Sequence, residues 1–208
     1  MAERLDAGWR VQRQWAAITA NGSFVYDFSL TTWNASGEVK ESLTRSTRVV
    51  NRGEEHRTEV LSATKDGRDD TADARAEEEK RARAPESKKK NDFPSPFDPQ
   101  FRDRYQFLGE PAESDLAVIS FHPRKSFDGA LAGRAFYDEE GRLRRVNFTL
   151  AKRPRFTRRL DFTIRIGADG LPERVESSGD VSLIVWERRF ESTLALREIQ
   201  AGSASEAR

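Results

Sequence analysis

The 208-residue chain contains no cysteine, one methionine and two histidines. Without cysteine there are no disulfides, thiol nucleophiles or thiolate metal sites, although the absence says nothing about compartment. His56 and His122 fall on separate strand-like runs with no His-x-His or His-Glu pattern, so a structural or surface role outweighs metal ligation for each. No run approaches the roughly 20 apolar residues of a membrane-spanning helix. The opening Met-Ala-Glu-Arg-Leu-Asp has neither the basic n-region nor the apolar h-region of a secretory signal. Nucleophile-elbow, phosphate-loop and dinucleotide fingerprints are missing, so no cofactor is expected. The strand carboxylates Asp27, Asp161 and Glu187 sit at solvent-facing alternation positions and form no catalytic pair. A non-enzymatic protein is the expectation.

What is present is charge and alternation. Charged residues make up 34% of the chain, yet 36 Lys+Arg against 35 Asp+Glu leave a net charge of +1, so global charge argues for no polyanionic partner. Arg4–Ala20 reads as a helix, with Val11, Trp15 and Ile18 on one side and Leu5 and Trp9 nearer the other. A helix apolar on two sides needs two partners. Asn21-Gly22 ends it. Ser23–Trp33, Val39–Val50 and Glu55–Thr64 alternate as three consecutive antiparallel strands joined by Asn-Ala-Ser-Gly and Asn-Arg-Gly turns. The first has Phe24, Tyr26, Phe28 and Leu30 on one face.

Residues 66–92 form a charged insertion that begins acidic and ends basic, with almost no large apolar side chain. Glu77–Arg81 and Glu79–Arg83 pairs would support a solvated helix up to Pro85, each by roughly 0.2–0.5 kcal/mol, with disorder beyond it. The following Asn91–Phe101 stretch sets Phe93, Phe97 and Phe101 among three prolines. It reads as an irregular cover that buries its rings on an apolar surface. Tyr105–Gly109 and Leu116–His122 resume the strands. From Gly133 to Ile199 the runs Gly133–Asp138, Arg142–Ala151, Arg159–Gly167, Leu171–Ser177, Val181–Glu187 and Arg189–Glu198 continue the meander, and Ala201–Arg208 reads as a frayed tail.

The segments Arg104-Tyr-Gln-Phe-Leu-Gly109, Asp115-Leu-Ala-Val-Ile-Ser-Phe-His-Pro-Arg124, Gly133-Arg-Ala-Phe-Tyr-Asp138 and Leu143-Arg-Arg-Val-Asn-Phe148 resemble the LolA/LolB-like superfamily of bacterial envelope proteins, the outer-membrane lipoprotein-sorting proteins and their relatives. The match in order and spacing covers about Tyr105 to Ile199, and more weakly Ser23 to Val60. The resemblance implies one α+β domain over residues 1–208. Its core would be a strongly curved antiparallel half-barrel of about nine to eleven strands, covered by the N-terminal helix and the charged helical insertion. It further implies a periplasmic or envelope location, with a cytoplasmic one left open, and a lipid or lipoprotein acyl chain as partner. Alternation agrees with the geometry, since a meander with one apolar face either closes or needs a cover.

Two groups of side chains follow as candidate sites. Trp15, Phe24, Tyr26, Phe28, Phe121, Phe136, Phe148, Phe162 and Trp186 are either plain core or a concave surface that admits an alkyl chain. Arg144, Arg153, Arg155, Arg158, Arg159 and Arg165 form the one marked charge asymmetry. They read either as a solvated convex face or as a contact for anionic lipid headgroups or an acidic partner. Nucleic acid is not expected, because stacking aromatics do not interleave with these cations on the same face. The alternative function is a protein-interaction or envelope-sensing module using the charged insertion or the basic face, with an unknown protein partner.

Overall fold

The computed structural model describes residues 1–83, 94–183 and 186–202, with only the backbone for Leu183 and Trp186. Helix α1 (Ala2–Ala20) runs straight into β1 (Asn21–Asn34), followed by β2 (Val39–Arg52), β3 (Glu55–Lys65) and the two-residue β4 (Arg68–Asp69). Helices α2 (Thr71–Arg83) and α3 (Pro99–Arg102) precede seven more strands. These are β5 (Tyr105–Glu113), β6 (Leu116–Pro123), β7 (Leu131–Tyr137), β8 (Leu143–Leu150), β9 (Thr157–Ile166), β10 (Pro172–Leu183) and β11 (Trp186–Ala201). All eleven form one sheet in the order β4-β3-β2-β1-β11-β10-β9-β8-β7-β6-β5. The sheet is antiparallel throughout and does not close into a barrel. Every neighbour is a hairpin neighbour except β1 and β11, which pair from Gly22↔Ala201 to Asn34↔Arg188 and join the two meanders.

Two expectations about boundaries are corrected. Ser178-Gly179-Asp180 is not a turn: β10 runs unbroken through it, pairing Gly179 with Leu160 on one side and Phe190 on the other. The glycine is there for space. A Cβ at Gly179 would lie 2.6 Å from the Phe190 ring and 2.8 Å from the Arg159 carbonyl oxygen. Asn21 ends α1 as expected, with an extended backbone (φ −150°, ψ 92°) that already belongs to β1. Ala201, read as tail, pairs with Gly22. The expected disorder after Pro85, the ring of Phe93 and residues 203–208 lie outside the described residues.

Trp15 of α1 meets Phe24 with ring centroids 5.1 Å apart, which puts α1 on the Phe24 face of β1. Directly opposed residues share a face. The pairings Phe24↔Val49 and Phe28↔Arg45, then Arg45↔Ala63, carry that same face across β2 to β3. There α2 packs its one buried residue, Ala74, with Val60 and Ala63. Both helices therefore cover one side of the sheet, the inner face.

The tightly closed core lies toward β5–β9, where Leu5 and Ala7 of α1 join Tyr105, Ile119, Phe121, Ala135, Tyr137 and Leu143. The Phe-Pro segment closes it from above. Phe97 is 4% exposed, and its ring sits so close to Gly8 that a Cβ there would be 2.6 Å away. The Tyr105 hydroxyl donates to the Pro94 carbonyl at 2.8 Å. Helix α1 thus lies between the sheet and this cover, as its two apolar sides require.

The insertion helix is docked more firmly than its composition suggests. Arg75 donates to the Val60 and Leu61 carbonyls at 2.9 and 3.3 Å. Thr71 accepts from the Ala63 amide at 3.0 Å. These bonds occupy the outer edge of β3, which would otherwise offer a template for another strand. Of the expected helix pairs Glu79–Arg83 forms at 3.4 Å, whereas Arg81 turns to Glu78 at 3.6 Å.

Gly179→Val should lower stability by about 1–3 kcal/mol, the cost of forcing a branched side chain into a filled space. Urea unfolding followed by circular dichroism measures it, and an unchanged midpoint contradicts the close approach of Phe190.

Candidate functional site

The inner face carries cross-strand rows that can be read from the register. One runs Ala63, Arg45, Phe28, Leu194, Val175, Ile164 and Val146 across seven strands from β3 to β8. Beside it runs Leu30, Ser192, Ser177, Phe162 and Phe148. In this second row the two serine hydroxyls bond each other at 2.7 Å, which uses their polarity within the floor. Phe148 and Phe162 stack at 5.0 Å with planes 13° apart. Tyr26, Phe28, Leu30, Phe162, Leu194 and Val175 are all only partly buried. Helix α1 touches β1, β2, β8 and β11, and α2 touches β3, while the apolar side chains in the middle of the face stay partly exposed, an apolar strip here termed the trough.

The predicted aromatics divide accordingly. Trp15, Phe24 and Tyr26 make a ladder at one side of the trough, with Phe24 and Tyr26 6.5 Å apart. Phe28, Phe148 and Phe162 line its floor. Phe121 does not line it. At 1% exposure it is closed core, in edge contact with Phe97 and Tyr105. Phe136 is on the other side of the sheet altogether. It stands opposite Val118 and Arg145, fully buried beneath two guanidinium groups 3.8 and 5.2 Å from its ring centre, those of Arg145 and Arg134. Glu110 and Glu113 hold these two arginines in ion pairs of 2.8–3.0 Å. β7 is buried on both faces, and alternation cannot tell which face is inner on such a strand. The side chain of Trp186 lies outside the described residues. Sequence reasoning passed over Leu194 and Val175 as binding positions because it looked to aromatics; their alternation on β11 and β10 was the available signal.

Most cations of the expected basic face are paired. Arg144 binds Asp138 at 2.7 Å, Arg158 binds Glu187 at 2.6 Å, Arg159 pairs with Asp161, and Arg165 reaches Glu176 at 3.5 Å. Among the described residues, Arg153 and Arg155 have no carboxylate partner. Both sit on the β8–β9 loop, where Arg155 stands 5.6 Å from the ring of Phe156. That ring is 50% exposed, on a backbone with φ of 72°.

Asp138 shows how tightly the pairing is built. Partial burial pushes its carboxyl upward, but the backbone N–H of Arg142 and the guanidinium groups of Arg142 and Arg144 outweigh this and hold it at about 2. A cleft of about 550 Å3 opens at the hairpin ends. It is lined by Arg158, Arg188 and Arg189 together with Asp180, Glu187 and Glu191, a charged setting that an alkyl chain would avoid. Among the described residues, no three His, Asp or Glu side chains converge as metal ligands, and no helix is long and apolar enough to cross a membrane.

No protein-family model matches the chain, and no curated protein matches it. Solved structures to which it is similar include a DUF1329 family protein from Desulfovibrio piger, at 10% identity and TM-score 0.33, covering 97% of this chain and 92% of that one. A LolA superfamily protein from Nitrosomonas europaea is similar at 10% identity and TM-score 0.27, over 95% and 94% of the two chains. Pseudomonas aeruginosa MucB, solved in complex with MucA, is similar at 10% identity and TM-score 0.25, over 97% and 99%.

Because the Asp138 carboxyl is depressed in the folded state, the stability it contributes is present above its ordinary value of 3.8 and is lost as pH falls toward about 2. Unfolding midpoints measured across that window should fall less steeply for Asp138→Asn than for the unsubstituted protein. Parallel curves contradict the assignment.

Proposed function

We propose that this is a non-enzymatic binding protein of the bacterial cell envelope whose inner-face trough takes an alkyl or acyl chain, free or attached to a lipoprotein. The observation that carries this reading is the partly exposed floor formed by Tyr26, Phe28, Leu30, Phe162, Leu194 and Val175, beside a core that is otherwise closed. Apolar side chains left at the bottom of a groove gain from any chain that displaces water. Burial is favourable by about 0.8 kcal/mol per methylene, so binding needs no directed chemistry beyond partition. The resemblance of the Tyr105–Phe148 segments to LolA/LolB-like sequences supports the envelope assignment.

A second contact is favoured by the β8–β9 loop. Phe156, exposed and flanked by the carboxylate-free Arg153 and Arg155, is suited to the interface of an anionic membrane, where each basic residue near the surface contributes roughly 1 kcal/mol. Such a contact would bring the trough to the bilayer from which its chain comes.

Phe162→Asp should weaken binding of an uncharged alkyl fluorophore by at least about tenfold, since it sets an unpaired carboxylate in the floor; equal affinity in the variant, or no binding by the unsubstituted protein, counts against the trough. Phe156→Ser should reduce flotation with anionic vesicles at low salt and leave fluorophore binding unchanged. Vesicle binding that persists undiminished in this variant removes the loop from the account.

A further inference from the structure

The long inner-face row is apolar except at Arg45. This arginine follows Phe28 in the register, its side chain is only 13% exposed, and among the described residues it pairs with Glu78 of α2, at 2.6 Å. Its Nε is buried and makes no hydrogen bond. A guanidinium placed against an apolar surface is costly unless its donors are met, and among the described residues one carboxylate oxygen meets Nη2 while the buried Nε is unmet. Glu78 comes from a helix whose only buried residue is Ala74. It also has Arg81 at 3.6 Å as a second partner, so it can leave Arg45 without losing all compensation.

We propose that Arg45 is the head-group site of the trough and that the ligand is a long-chain fatty carboxylate. Its head takes the place of Glu78 on Arg45, and its chain lies along Phe28, Leu194, Val175 and Ile164. The proposal rests on the alkyl-chain reading above and adds the identity of the head. Three features support it. The group now on Arg45 is a carboxylate, so the site already accommodates the chemistry it would recognise. The planar guanidinium with a free Nε offers the paired donors that fit both oxygens of a carboxylate. The row from Arg45 to Ile164 spans four interstrand steps, about 19 Å at the usual spacing, which is the length class of a long-chain fatty acid extended from its head.

Competition for an uncharged alkyl fluorophore, with palmitate and hexadecanol as competitors at about pH 8, where the carboxylate is ionised, tests this on the full chain. The unsubstituted protein should prefer palmitate by roughly tenfold or more, the scale of a charge-assisted bond in a protected site. Arg45→Met should bring the ratio to about one, and Glu78→Gln, which removes the internal competitor, should raise it. Equal competition by acid and alcohol in the unsubstituted protein overturns the head-group assignment and leaves the trough standing. If neither competitor displaces the fluorophore, the alkyl-chain reading falls with it. A palmitate preference that survives Arg45→Met also overturns the assignment. Should that variant fail to fold by circular dichroism, Glu78→Gln decides: a ratio that does not rise means that Glu78 only tethers α2.

Discussion

The structure depends on the pairing of β1 with β11. These strands lie at opposite ends of the chain, yet they exchange backbone hydrogen bonds along a register from Gly22↔Ala201 to Asn34↔Arg188. Remove that seam and the protein becomes two meanders, each with an unprotected edge where the other should be. Such a non-local pairing must recover its loop-closure cost through many bonds at once, and the length of the two strands, 14 and 16 residues, supplies them. Gly22 lets the seam begin directly at the end of α1, because a Cβ there would lie 2.5 Å from the Gln200 carbonyl oxygen and 2.9 Å from that of Ile18. On the outer face Arg197 of β11 grips Asp27 of β1 at 2.8 Å.

The seam also makes the trough. Tyr26, Phe28 and Leu30 come from the first meander, and Leu194, Val175, Phe162 and Phe148 from the second, so the floor exists only where the two halves meet. The covers are unevenly shared. The Phe-Pro segment and the first half of α1 close the β5–β9 region into a core, while α2 serves β3 and contributes little apolar area of its own. An open apolar strip between a closed core and a polar helix is what this distribution leaves. On the outer face the opposite principle holds, because most arginines of β7–β11 are matched by a carboxylate on the same strand, a neighbouring strand or a turn. Exposed pairs of this kind add little stability individually, but together they keep a sheet face water-compatible without a surplus of either sign.

Much of this was legible in the sequence. Alternation and turn residues place most strands and the first helix, because a half-buried antiparallel strand writes its face directly into every second residue. Reading failed where that rule has local exceptions. Ser178-Gly179-Asp180 has the composition of a turn, yet its glycine is required by the ring of Phe190, contributed by the next strand. Phe136 alternates like an inner residue only if β7 has a single buried face, and it has two. The basic face looked uncompensated because its carboxylates are distant in sequence, such as Glu187 for Arg158, or hidden in turns, such as Asp138 for Arg144. Alanine at position 74 and arginine at 75 gave no sign that a charged helix would dock through them. Arg45 was invisible as a site residue, since its apolar surroundings are assembled from strands far along the chain.

The central claim, that the middle of the inner face is a binding surface and not finished core, is tested most directly by methyl resonance spectroscopy during titration with a long-chain fatty acid. Leu194, Val175 and Ile164 methyl signals should shift and show contacts to the ligand chain, while Ile119 in the closed core and Val118 on the outer face stay unmoved. Shifts confined to Ile119 or Val118, or no shifts at a saturating ligand concentration, would contradict it.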